Sequence, residues 1–230
     1  MSSMPEISDR TRLLAVVFAV VIGLAVASVP LVASIFAQPE TPPAASPTSE
    51  SQGAQADQPA PNEALRVNNV VPCVQQEGEG LASDIKADAE LAEVRLPCLT
   101  DGGKESSQSL AEQFAGKPTV VNVWAWWCGP CRQELPILQD VAENNPEWNV
   151  VGVHLDAKGQ AGVDFLEELG VDNFPSYQDG NHVFDAATNI PKVVPVTLVY
   201  RPDGSRAETF VRTFDDSAQM QQLVSEALAK

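Results

Sequence analysis

The sequence predicts an α/β sandwich in which helices cover a mixed sheet. Three observations carry this expectation. Two uncharged, valine-rich runs, at 119–126 and 149–155, have the length and composition of buried strands. Each is followed by a segment with helical spacing of its apolar residues. The chain then closes with a strand, a turn, a return strand and an amphipathic helix, so strand–helix alternation gives way to a hairpin.

Taken in order, the chain begins with a short tail at 1–12 that carries Arg10 and Arg12. An uncharged apolar run at 13–37 follows, long enough to span a bilayer. Arginines on its N-terminal side predict a cytoplasmic tail and an exported bulk, a single-pass cell-membrane arrangement. The alternative is a cleaved signal peptide with Ala25-Val26-Ala27 at the small-residue site. Residues 38–69 read as a linker. Their first part is Pro, Ala, Ser, Thr, Gln and Glu, which cannot bury a core. The domain is expected over 70–230, opening with an adaptor segment.

Within the adaptor, 84–92 reads as a helix and 96–99 as a short strand before the turn Asp101-Gly102-Gly103. Ser109 is placed to cap a short helix ending before Gly116. After the first buried strand a helix is expected over 130–144, with Leu135, Leu138, Val141 and Ala142 on one face. Further helices are expected at 163–169 and 216–229. Strands are expected at 173–177, 196–200 and 207–212, the last two joined by the turn Pro202-Asp203-Gly204-Ser205.

Composition excludes some functions. The net charge of −17 and pI near 4.3 argue against nucleic acid, whose phosphates need a basic surface. They argue equally against docking on anionic lipid.

The chemistry-bearing motif is Trp127-Cys128-Gly129-Pro130-Cys131, where a buried strand hands over to a helix. A cysteine at a helix N-terminus has its thiolate favoured by unpaired amides and the helix dipole, and the thiolate is the attacking species. Two intervening residues let Cys131 reach back to Cys128 and resolve a mixed disulfide. A zinc site would need a second ligand pair, and Cys73 and Cys98 are not spaced as one. Haem attachment would need a histidine at 132, where Arg132 stands. No metal is expected. His154 and His182 are given no role, His154 being placed within a strand as packing or edge.

The stretch VVNVWAWWCGPCRQELPIL at 120–138 resembles the active-site region of the thioredoxin superfamily, and specifically its TlpA/ResA-like branch of extracytoplasmic thiol–disulfide oxidoreductases. The resemblance extends over 93–230. It implies a thioredoxin-like three-layer sandwich with an N-terminal extension, including an added hairpin, and a central insertion. It implies that Cys128 is the exposed nucleophile and Cys131 the buried resolving thiol. Val194-Pro195 resembles the family's cis-proline loop, with Pro191 a competing candidate, and with Trp127 it is expected to receive substrate. Pro136 matches a proline that kinks the active-site helix. Glu134 matches an acidic residue that tunes the thiols; the alternative is a solvated helix glutamate. One position departs from the pattern. Thioredoxin has a buried aspartate six residues before the first cysteine, and here Asn122, which cannot take up a proton, stands there.

Cys73 and Cys98 are expected to pair as a structural disulfide in an oxidising compartment. Closing that loop contributes about 3.5 kcal/mol in the chain-entropy model. A second redox relay is the alternative.

The expected activity is dithiol–disulfide exchange on exported proteins, without organic cofactor. Gly129-Pro130 is the dipeptide of thioredoxin, a reductant at about −270 mV, which favours a reductase. The resemblance implies an electron-donor membrane protein of the CcdA/DsbD type and apocytochrome c as substrate. The alternatives are an oxidase or isomerase of secreted proteins, or a copper carrier using the thiolates as soft ligands. Against the carrier, Met220 is the single methionine beyond the apolar run, and there is no histidine-rich stretch.

Overall fold

Valine-rich β1 (Thr119–Trp124) and β2 (Asn149–His154) are buried at every position, as fits strands covered on both faces. They form the centre of the sheet in the computed structural model, which describes residues 65–75 and 85–230. The expected tail, apolar run and most of the linker lie outside the described residues. Among the described residues no helix is long and apolar enough to cross a membrane.

β1 pairs in parallel with β2, and β2 with β3 (Ser176–Gln178). On its other side β1 pairs antiparallel with β4 (Val196–Tyr200), and β4 with β5 (Arg206–Phe210). The order β3-β2-β1-β4-β5 is the mixed sheet that the sequence implied. Alternation along β1 sends Val120, Asn122 and Trp124 to one face and Val121 and Val123 to the other. The first face packs against α2 (Gly129–Asn144), α3 (Gly159–Glu168) and α5 (Ser217–Leu228). The second packs against α1 (Leu110–Phe114), α4 (Val183–Thr188) and the segment carrying Cys73 and Cys98.

α1 starts where expected. Ser109 accepts from the Glu112 amide and Glu112 accepts from the Ser109 amide, a complete capping box. α4 was not foreseen. It is a short helix whose first amides, of Val183 and Phe184, are taken by the Asp179 carboxylate.

Two expectations in the adaptor are corrected. Residues 85–92 form successive turns, not a helix, with Ala89 and Ala92 amides each bonding three residues back. Tertiary anchors override the local helix preference here. The Lys86 amide donates to Asp203 O in the β4–β5 turn, and Glu90 accepts from Arg206 of β5 and from Tyr200 of β4 at 2.6 Å. The expected strand at 96–99 and the implied hairpin shrink to isolated bridges from Cys98 to Lys104 and Tyr177, because the chain turns at once into a 3₁₀ turn, Leu99–Asp101. Residues 65–69, assigned to the linker, lie along α3: the Arg66 amide donates to Gln160 and the Asn68 amide to Glu167.

Candidate active site

β1 ends at Trp124, and four residues later Cys128 is the N-cap of α2. Pro130 stands in the first turn, where the missing amide costs no helical hydrogen bond. Cys128 and Cys131 are joined as a disulfide, and the Cys131 amide donates to Cys128 Sγ at 3.1 Å. The expected exposure of Cys128 is small. It keeps 4% of its surface and Cys131 none, because bonding to Cys131 turns its sulfur over the first turn of α2.

The apolar residues immediately before Cys128 and Val194 are exposed. Trp127 is 57% exposed and Val193 53%. Val194-Pro195 is a cis peptide, Val194 half-buried against the cluster that contains both cysteines and Pro195 buried. Pro191 is exposed and trans. Pro136 lies within a single continuous helix.

Glu134 is fully buried on the face of α2 that meets β1, so it is not the solvated helix residue of the alternative. Its carboxyl accepts from Asn122 Nδ2 at 2.8 Å and from the Phe214 amide at 2.8 Å. Asn122 Nδ2 also donates to Thr197 Oγ1 of β4 at 3.0 Å. Burial is the largest influence on Glu134 and pushes its pKa up to about 7 against the opposing pull of those donors. A carboxyl that changes charge near neutral pH therefore sits one helical turn from Cys131, in contact with the side chain that replaces thioredoxin's aspartate.

A second polar group was missed from sequence. His154, at the end of β2, is fully buried beside Trp124, with ring centroids 4.6 Å apart. Its Nδ1 meets Gln178 Oε1 at 2.9 Å, and its Nε2 accepts from the Trp126 amide at 3.4 Å. Trp127 Nε1 donates to Asp156 Oδ2 at 3.0 Å. The alternation along β2 held the signal: His154 lies in register with Trp124 on the parallel neighbour, hence on the same face.

Cys73 and Cys98 are joined to each other and buried, on the opposite face of the sheet from the cluster holding Cys128. Among the described residues no group of histidine, cysteine and carboxylate side chains could hold a metal.

Residues 72–212 match the family model described as Redoxin. The chain is 36% identical over 132 residues to the soluble secreted antigen MPT53 of Mycobacterium tuberculosis, covering 57% of this chain and 72% of that one. It is 39% identical over 87 residues to the thiol:disulfide interchange protein CycY of Rhizobium leguminosarum bv. viciae, covering 36% of this chain and 41% of CycY, less than half its length. Among solved structures, a DsbF homologue from Corynebacterium diphtheriae aligns with TM-score 0.50 and 29% identity, covering 59% of this chain and 85% of that one.

Proposed function

Because the chain belongs to the Redoxin family, with thiol–disulfide oxidoreductases of the TlpA/ResA/DsbE type, we propose that it reduces disulfides of exported proteins through Cys128 and Cys131. The observation that carries this reading is the Cys128–Cys131 bond at the junction of β1 and α2. In the reduced protein the Cys128 thiolate, held at the helix N-terminus, attacks one sulfur of a substrate disulfide. A mixed disulfide forms and the other substrate sulfur leaves as a thiolate that takes a proton. Cys131, as thiolate, then attacks Cys128 Sγ. The second substrate thiol leaves, and Cys128–Cys131 is the oxidised product. Two electrons pass from the protein to the substrate.

The surface at Trp127 and the Val194-Pro195 cis bond is where an extended substrate segment would lie. Glu134 tunes the pair by its charge. Each turnover leaves the pair oxidised, so the cycle needs a dithiol donor, and a membrane protein of the CcdA/DsbD type fills that place. The apolar run at 13–37, retained as a single-pass anchor with the domain outside, would hold the two in one membrane. Apocytochrome c, whose cysteines must be reduced before haem attachment, is the substrate that the family resemblance favours. Gly129-Pro130 supports reduction over oxidation, as in thioredoxin.

The test has two parts. Cys128→Ser abolishes insulin disulfide reduction, whereas Cys131→Ser accumulates mixed disulfides through Cys128; full activity in both variants would refute the assignment. The potential of the pair then fixes direction. A value near about −270 mV supports a reductase, and one near about −120 mV an oxidant of folding proteins.

A further inference from the structure

His154 has no part in the exchange chemistry, yet it is a polar ring fully buried beside Trp124. Packing alone does not call for it. The ring lies between Trp124 and α3, where a Cβ on Gly162 would stand 3.0 Å from its Nδ1 and Cε1. A leucine or phenylalanine would fill that slot without the cost of burying two ring nitrogens. What an apolar side chain could not do is satisfy the groups at either end of the ring.

Those groups fix its tautomer. Gln178 Nε2 donates to the backbone oxygen of Asp156, so the amide oxygen of Gln178 is the atom that faces the ring. Nδ1 must then carry the hydrogen, and Nε2 is left with a free lone pair. The Trp126 amide points at that lone pair, 3.4 Å away. Burial holds the ring's pKa below the usual histidine value, which keeps this lone pair free. The neighbouring residue is held from the same loop. Trp127 Nε1 donates to Asp156 Oδ2, and the other oxygen of that carboxylate accepts from the Lys158 amide at 2.8 Å. Both residues immediately before Cys128 are thus tied to β2 and the loop that follows it.

We infer that His154 is a positioning residue: as a neutral Nδ1–H imidazole, oriented by Gln178, it holds the Trp126 amide and thereby seats Cys128 at the N-terminus of α2. The inference rests on Cys128 being the attacking thiol. With the Trp126 amide released, Cys128 moves off the cap position and its thiolate loses the amides and dipole that favour it.

Two substitutions separate this role from packing. In His154→Gln the side-chain oxygen reaches the place of Nε2 and still accepts from Trp126. In His154→Asn the polar atoms reach only the place of Nδ1, so the Gln178 contact survives and the Trp126 contact is lost. The readouts are the pH midpoint of Cys128 alkylation and the rate of disulfide exchange, measured on the full chain. The expected result is a near-native midpoint and rate for His154→Gln. His154→Asn should show a raised midpoint and exchange slowed by up to about a hundredfold, the scale of a reacting group misplaced by about 1 Å. Native values in both variants, or equal losses in both, overturn the inference. Should either variant fail to fold, Gln178→Leu removes the group that sets the tautomer and should raise the midpoint too; an unchanged midpoint there is equally fatal. Imidazole nitrogen shifts of the unmodified protein supply a reading without turnover. A protonated Nδ1 and bare Nε2 are expected, and a protonated Nε2 contradicts the arrangement. A wild-type chain that shows this tautomer yet exchanges no disulfides would refute the proposed function and not the bond to Trp126.

Discussion

Glu134 shows how one buried carboxyl ties stability to pH. Its native pKa of about 7 stands above the ordinary 4.5, with burial the first cause. The native state therefore binds more protons than the unfolded chain between those two values. The stability this group contributes is complete below about pH 4.5 and is lost as pH rises through about 7. The gap corresponds to roughly 3 kcal/mol. Glu134→Gln should remove that slope. Urea unfolding at pH 5 and pH 8 should show the wild type losing roughly 2 kcal/mol more than the variant over that interval. The variant leaves one of the two donors, Asn122 Nδ2 or the Phe214 amide, facing an NH₂ group, but this penalty is independent of pH and leaves the slope readable. Ionised Glu134 also disfavours a neighbouring thiolate, so above pH 7 the variant should titrate the Cys128–Cys131 pair at lower pH. Superimposable alkylation curves would remove Glu134 from the site.

At the scale of elements, β2 depends on one missing side chain. A Cβ on Gly152 would stand 2.5 Å from Ser176 Oγ, 2.6 Å from Trp124 Nε1 and 2.9 Å from Phe174 Cε1. Those neighbours belong to or adjoin the strands on both sides of β2, so none can retreat freely. Gly152→Ala should cost about 1–3 kcal/mol as an overpacked core. Thermal unfolding should drop by about 2–12 °C, and an unchanged melting temperature would show that the sheet yields at no cost. Elements with self-contained signals were legible in advance. The valine runs, the Ser109 cap and the turn at Pro202-Asp203 depend on residues within a few positions of one another. The turns at 85–92 and the helix α4 were not legible, since the first is decided by Asp203 and Arg206 and the second is too short for periodicity to show.

At the scale of the whole molecule, Cys73–Cys98 ties the adaptor to the sheet. Cys98 bridges Tyr177 of β3, and the amide of the next residue, Gln178, donates to Pro97 O. Replacing both cysteines with serine should cost about 3.5 kcal/mol and leave insulin reduction intact. Mild reductant should open Cys128–Cys131 first, as a structural bond has the lower potential. Peptide mapping that finds Cys73 linked to Cys128 would assign the second pair to the redox cycle instead.

The sequence by itself determined the strand order's ingredients and the strand-to-helix setting of Cys128 and Cys131. These follow from periodicity, capping and spacing, which act over a turn or two of chain. The tertiary structure alone decided that Glu134 is buried and shared between Asn122 and Phe214, partners 12 and 80 residues away. It alone brought His154 between Gln178 and Trp126, at separations of 24 and 28 residues. Such meetings depend on strand register and on which helix face docks where, and both are set by burial of the whole apolar surface at once.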